Sequence, residues 1–440
     1  MLFLPQGILL TQNETSMKLL IRQATIMDPA SPHHGQQKDI LIDDERIVRI
    51  GDQLSADGAE LVTQEGLHLS PGWVDMGVQI GDPGFEHRED IESATAAAAA
   101  GGFTSIGVYP NTEPAIHAKP EVNYLMKQSR LNLVDILPVG AVTRDCAGKD
   151  ITEMIDMQRV GAVAFSDGAR PIQNNGMMMR ALQYVKAFGG IVMNQPHDFS
   201  LAVGGQVHEG VISTSLGMKG IPNMAEEMMV QRDIYLAEYT DSRVHLAGIS
   251  SAQSVELIRQ AKAKGVAVTC SVPALNLVFT EDELRDFDTQ FKVLPPLRSA
   301  ADRDGLREGL IDGTIDMVFS NHVPLEQEQK KLEFAYAGFG AIGLETTYAL
   351  LNTHLQEMVS TELLVQKLAL HPRAVFGLPG VTVVEGGAAE LTLFLPGHSW
   401  AVDRQRLRSK AKNTPLHGHQ LRGKAVGVIH NGQSFFSHDT

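Results

Sequence analysis

Sixteen histidines stand among 52 aspartates and glutamates in this chain of 440 residues. Imidazole and carboxylate are the groups that hold a divalent metal, and a bound metal makes water nucleophilic at neutral pH. Placement matters more than number. His417 and His419 have ligand spacing but fall near the C-terminus and read as solvated, and His33, His34, His68, His371, His398 and His430 also stand in outer positions. His245 lies three residues before a strand end, where a ligand would not sit. Metal-free chemistry has few carriers. Ser250, Ser251 and Ser271 would each need a base and an oxyanion hole, and neither is readable from spacing. In Asn321-His322 the asparagine cannot take a proton, and a lone imidazole is a weak catalyst. Cys270 reads as a buried thiol, and the runs Met177–Met179 and Met228-Met229 as helix core or interface filling.

The elements that would position such groups follow from hydrophobic periodicity. Eight apolar strand candidates occur at 73–80, 104–110, 134–142, 161–167, 189–196, 243–250, 266–272 and 315–321. Helical stretches separate most of them, as in DIESATAAAAAGG, NGMMMRALQYVKAFGG and SAQSVELIRQAKAKG. Eight buried-type strands over about 250 residues fit an α/β (β/α)8 barrel, whose functional groups sit at the C-terminal strand ends. Those ends carry Gly77 and Gln79, Asn111, Asp167 and Gly168, Asn194 and Gln195, Gly248, Ser271, then Asn321 and His322. Of these, only Asp167 and His322 are good divalent-metal ligands. Residues 17–70 and 381–440 have a different texture, with short apolar runs and tight turns at Asp43-Asp44-Glu45 and Asn431-Gly432. They predict one small β-sandwich built from both ends, around a barrel over 71–380. Residues 1–16 read as a leader or disordered arm, with Met17 a candidate start; they lack the basic flank and cleavage site of a signal peptide. No apolar run is long enough for a membrane helix. A formal charge of −15 disfavours nucleic acid, and two cysteines fit a reducing cytoplasm.

The order of motifs along the barrel resembles the dihydroorotase family of cyclic amidohydrolases. The matching stretches are PGWVDMGVQIGDPGFEHREDI, GGFTSIGVYPNTEP, GAVAFSDGARPI, GGQVHEGVISTSLGMKGIPNMAEE, KVLPPLRS, DGTIDMVFSNHVP, GFGAIGLETT and SKAKNTPLHG. The resemblance spans the chain from Met17 onward. It implies an amidohydrolase barrel with a β-sandwich, and a site of one or two zinc ions that activates water and polarises a ring amide. Nearly every ligand position departs from that pattern. The first-strand His-x-His is Gly77-Val78-Gln79, and the arginine that grips substrate carboxylate is Gly81. The acidic pair of the fourth strand is Asp167-Gly168, the fifth-strand histidine falls at Gln195, and the sixth-strand histidine at Gly248. The eighth-strand Asp is Asn321 and the last His of that motif is Leu325.

These departures predict a dismantled zinc site. No cofactor and no catalytic residue is expected, with Asn321 and His322 as relic positions. By resemblance, the chain would work in pyrimidine biosynthesis as a structural partner of aspartate carbamoyltransferase, and a homodimer is expected. The alternative is an active dihydroorotase, or another cyclic-amide hydrolase, with zinc held by a rebuilt site of Asp167, His197 and His322. A third possibility is a ligand sensor. In the last two cases Asn111 and His322 would touch the ligand.

Overall fold

The computed structural model describes residues 17–55 and 58–437; residues 1–16, read from sequence as a leader or disordered arm, lie outside them. The chain begins with β1 (Lys18–Ile26), β2 (Gln37–Asp43), β3 (Arg46–Gly51), β4 (Glu60–Val62) and β5 (His68–Pro71). The barrel then opens with β6 (Trp73–Val78), β7 (Phe103–Val108), β8 (Asp135–Gly140), β9 (Ala164–Phe165) and β10 (Val192–Asn194). A short parallel pair, β11 (Val207–His208) and β12 (Gly220–Ile221), is inserted before the barrel resumes. It continues with β13 (Val244–Leu246), β14 (Val268–Pro273) and β15 (Met317–Phe319). The last strands are β16 (Leu391–Ala401), β17 (Gln420–His430) and β18 (Gln433–Phe436).

All eight predicted barrel strands are present, ordered sequentially from β6 to β15 and paired in parallel. Past their ends, Val78 bridges His322, and the Gln79 N–H donates to the His322 carbonyl at 2.9 Å, bringing the first and last strands together. The predicted helices form as well. Asp90 caps the helix Ile91–Gly101 by accepting from Ser93 N at 2.8 Å, and Gly102 ends it at φ 91°. Ala94, Ala97 and Ala98 are fully buried on it, and a side chain at Gly101 would lie 2.2 Å from the Leu344 carbonyl. The alanine-rich sequence therefore answers a close approach of backbones.

The second sheet draws on both ends of the chain, with β5 between β1 and β16. Its predicted turns hold: Asp44 sits at φ 50°, and Asn431-Gly432 at 51° and 65°. This is the left-handed conformation that Asn, Asp and Gly tolerate best. Trp73 joins the two units. Its ring lies 4.9 Å from Tyr348 and 5.5 Å from Phe394, and its Nε1 donates to Ser70 Oγ at 3.0 Å. No helix among the described residues is long and apolar enough to cross a membrane.

Two buried lysines tie the chain after β15 to the loop that follows β14. Lys292 Nζ donates to Gln206 Oε1 at 2.5 Å and to Phe334 O at 2.7 Å, over the rings of Phe334 and Phe339. Lys330 Nζ donates to the carbonyls of Thr289, Lys292 and Gly338 at 2.7, 3.1 and 3.0 Å. Burial, and then the neighbouring Lys292 charge, pull the Lys330 pKa down to about 7. Unfolding restores an ordinary lysine that binds a proton more tightly, so this group makes stability rise with pH between about 7 and 10.5. Comparing denaturation of the protein and Lys330→Met across this range should show a slope of up to ~1.4 kcal/mol per pH unit that the variant lacks. Parallel pH profiles would refute it.

Candidate functional site

The mouth of the barrel is built around β6 and β15. Asp75 is fully buried, and its carboxylate accepts from Gly77 N at 2.9 Å and Ser320 N at 2.7 Å, bolting the first strand to the last. Burial pushes the Asp75 carboxyl pKa up. The decisive side chain is Phe319, at the end of β15 and 3% exposed. A Cβ added to Gly77 would lie 1.9 Å from Phe319 Cδ2, and one added to Gly248 would touch Phe319 Cζ at 3.5 Å. The aromatic ring thus occupies the space into which Gly77 would project a side chain, and borders that of Gly248 at ordinary contact distance. Gly248 also sits at φ 73°. That conformation disfavours any residue with a Cβ.

The other predicted positions are equally committed to structure. A side chain at Gly81 would meet the Phe85 carbonyl at 1.9 Å, because the loop 85–89 folds over it. Gly168 has φ 56°, and a Cβ there would lie 2.0 Å from Asn111 Oδ1. Asn111 itself, expected to touch a ligand, clamps the end of the fourth barrel strand: its Nδ2 donates to Asp167 O at 3.0 Å and its Oδ1 accepts from Ala169 N at 2.8 Å. Asp167 is buried and accepts from both Thr143 N, at 2.8 Å, and the Thr143 hydroxyl. Burial pushes its pKa up to about 6.

His322 is fully buried. Its Nδ1 accepts from Gly343 N at 3.3 Å. That bond places the ring proton on Nε2. Nε2 lies 3.5 Å from Glu89 Oε2. Glu89 also accepts from the Ser409 hydroxyl and from Lys410 N at 2.9 Å. Its burial opposes ionisation, yet the nearby His322 imidazole and the Ser409 hydrogen bond outweigh this and hold its pKa below normal. The gap beside His322 is too small for a water molecule. Asn321 lies at φ 51° and donates its Nδ2 to Leu294 O at 3.1 Å.

His197 is buried, meets the Phe199 ring edge-on at 5.5 Å, and has its pKa lowered by burial and the Arg298 charge. Among the described residues, no three His, Cys, Asp or Glu side chains gather as metal ligands. Asp167, His197 and His322, weighed from sequence as a rebuilt site, do not form such a group. Each of these residues is held by separate neighbours. The donor set does not fit zinc: positions 77, 79, 168, 195 and 248 carry glycine or glutamine, and Phe319 fills the space a side chain at Gly77 would need. His245 is a core residue between Thr269 Oγ1 at 2.9 Å and Ser271 Oγ at 3.0 Å, its pKa pushed down to about 3 by burial.

The structure adds a network that spacing did not reveal. Glu226 accepts from Ser250 N at 2.8 Å, Ser251 N at 3.0 Å and the Ser250 hydroxyl. Arg298 donates Nε to Ser250 Oγ at 2.9 Å and lies 3.4 Å from both Glu226 Oε2 and His208 Nδ1. The motifs NMAEE and PPLRS carried the only signal for it, since burial of charged residues is invisible in a sequence.

Residues 66–254 match the family described as Dihydro-orotase-like. A dihydroorotase of Pelotomaculum thermopropionicum is 44% identical over 95% of this chain and 98% of its own length. The chain belongs to the dihydroorotase-like family. A dihydroorotase of Syntrophus aciditrophicus is 38% identical over 96% of this chain and 100% of its own. Among solved structures, the L-hydantoinase of Arthrobacter aurescens superposes with a TM-score of 0.83 at 25% identity, covering 95% of this chain and 96% of that one. The dihydropyrimidinase of Brevibacillus agri has the same fold, with a TM-score of 0.81 at 21% identity over 96% of each chain. The dihydroorotase-like barrel and its companion sheet thus match the architecture expected from sequence.

Proposed function

We propose that this dihydroorotase-like chain serves pyrimidine biosynthesis without a hydrolytic metal centre, as a structural partner of aspartate carbamoyltransferase. The Phe319 ring carries the first half of this reading: it fills the space a side chain at Gly77 would need and borders Gly248, positions where the family resemblance implies imidazole. A preserved scaffold with an apolar plug in place of ligands suits a chain selected for its surfaces. The carbamoyltransferase partnership rests on family resemblance alone, while the dihydroorotase names of the relatives support the pyrimidine setting.

Those same names favour a second reading, in which the chain is an active dihydroorotase or another cyclic-amide hydrolase. Identity of 44% over nearly the whole length is the observation behind it. Metal analysis of protein purified from zinc-supplemented cells, together with a carbamoyl-aspartate cyclisation assay, separates the two. We expect substoichiometric zinc and no turnover above a no-enzyme control. Stoichiometric zinc with turnover would establish the second reading. Gel filtration with the host's aspartate carbamoyltransferase should give one co-eluting peak at micromolar concentration, and two independent peaks would remove the proposed partner.

A further inference from the structure

Beside the barrel mouth lies an open cavity of about 360 Å³, where three segments meet: the loop after β6, the chain after β15 and the stretch 404–413. Its volume is at the small end of the range for small-molecule sites, roughly 300–1,000 Å³. Its charge is unlike that of the chain as a whole, which is formally −15. Six lysines and arginines line it against two glutamates. Much of the wall is internally neutralised. Glu326 receives His87 Nε2 at 2.6 Å and Arg88 Nε at 3.2 Å, and Lys410 Nζ meets Asp90 Oδ2 at 2.9 Å.

Three cations have no ion-pair partner among the described residues, and Glu328 also lines the cavity. Lys412 Nζ donates to the carbonyls of Leu407 and Ser409, at 2.7 and 2.6 Å, and its charge is felt by the buried Glu345 carboxyl. Among the described residues, the side chains of Lys331 and Arg404 make no hydrogen bond or ion pair. Three like charges converging on one concavity repel one another. That arrangement is relieved by an anion, which an arginine fork and ammonium groups bind by charge-assisted hydrogen bonds.

We propose that this cavity binds a small, multiply charged anion bearing phosphate or paired carboxylates, through Lys331, Arg404 and Lys412. The site is separate from the plugged barrel centre, and its occupancy does not depend on whether the barrel catalyses anything. Calorimetric titration of the full chain at low ionic strength with pyrophosphate and, separately, succinate tests it. Submillimolar binding of pyrophosphate alone assigns a phosphate ligand; binding of succinate alone assigns a dicarboxylate. Either affinity should fall at least about tenfold in the Lys331→Gln/Arg404→Gln variant and also with added salt, while Lys127→Gln, remote from the cavity, leaves it unchanged. Failure of both probes to bind, or equal affinity in the parent and the double variant, would overturn the proposal.

Discussion

A histidine restored at Gly77 is expected to cost about 3 kcal/mol or more of folding stability instead of rebuilding a metal ligand. Its Cβ alone would lie 1.9 Å from Phe319 Cδ2 and 2.3 Å from Cε2. The ring is 3% exposed, and every residue of the strand that carries Gly77 is buried. Phe319→Ala removes the obstruction but opens a cavity, at a cost of about 3–5 kcal/mol. The informative variant is the double one. With the ring gone, the imidazole has room, so Gly77→His/Phe319→Ala should be more stable than the sum of the single effects by about 1–3 kcal/mol. Urea denaturation followed by circular dichroism measures all three. Additive losses would show that Phe319 does not hold that volume. Even the double variant should bind no stoichiometric zinc, because Gln79, Gly168, Gln195 and Gly248 still offer no strong ligand.

The second large effect concerns the buried Glu226–Arg298 pair. Glu226 is 1% exposed and Arg298 3%. Glu226→Ala strands a guanidinium in the interior and leaves the N–H groups of Ser250 and Ser251 without their acceptor. The expected cost is about 3–5 kcal/mol. Arg298→Met should cost a similar amount by leaving the carboxylate behind. Replacing both, as Glu226→Leu/Arg298→Met, should destabilise less than either single change, since no unpaired charge remains. His208 supplies an independent readout. Burial, and then the Arg298 charge, depress its pKa to about 4, so Arg298→Met should raise the midpoint seen by nuclear magnetic resonance. An unmoved His208 midpoint would show that the two groups are not coupled.

The asymmetry between what is legible in the sequence and what is not has a physical origin. Barrel strands such as 266–272 and 315–321 announce themselves because burial on both faces demands continuous apolar runs. The hairpin at Asn431-Gly432 is readable because few residues tolerate a positive φ. The departures at Gly77, Gln79, Gly168, Gln195 and Gly248 are equally plain, because ligand chemistry is a property of residue type. The use made of the surviving polar residues is not plain. The family resemblance puts Asn111 against a ligand, and in the fold its amide bonds Asp167 O and Ala169 N. His197 stands beside a lost ligand position as a candidate replacement, yet its ring packs on Phe199.

By itself, then, the sequence determined the α/β barrel, the sheet assembled from both ends of the chain, and the glycine and amide residue types that stand at most strand ends. Each follows from a local property: hydrophobic period, turn conformation or side-chain donor chemistry. Only the tertiary structure decided that Phe319 fills the space beside Gly77, that His322 lies against Glu89, and that the basic residues near 331, 404 and 412 share one cavity. These depend on barrel closure and on loops that bring distant segments within a few ångströms. A side chain's environment is set by neighbours in space, and no pattern along the chain encodes which ring will occupy a vacated volume.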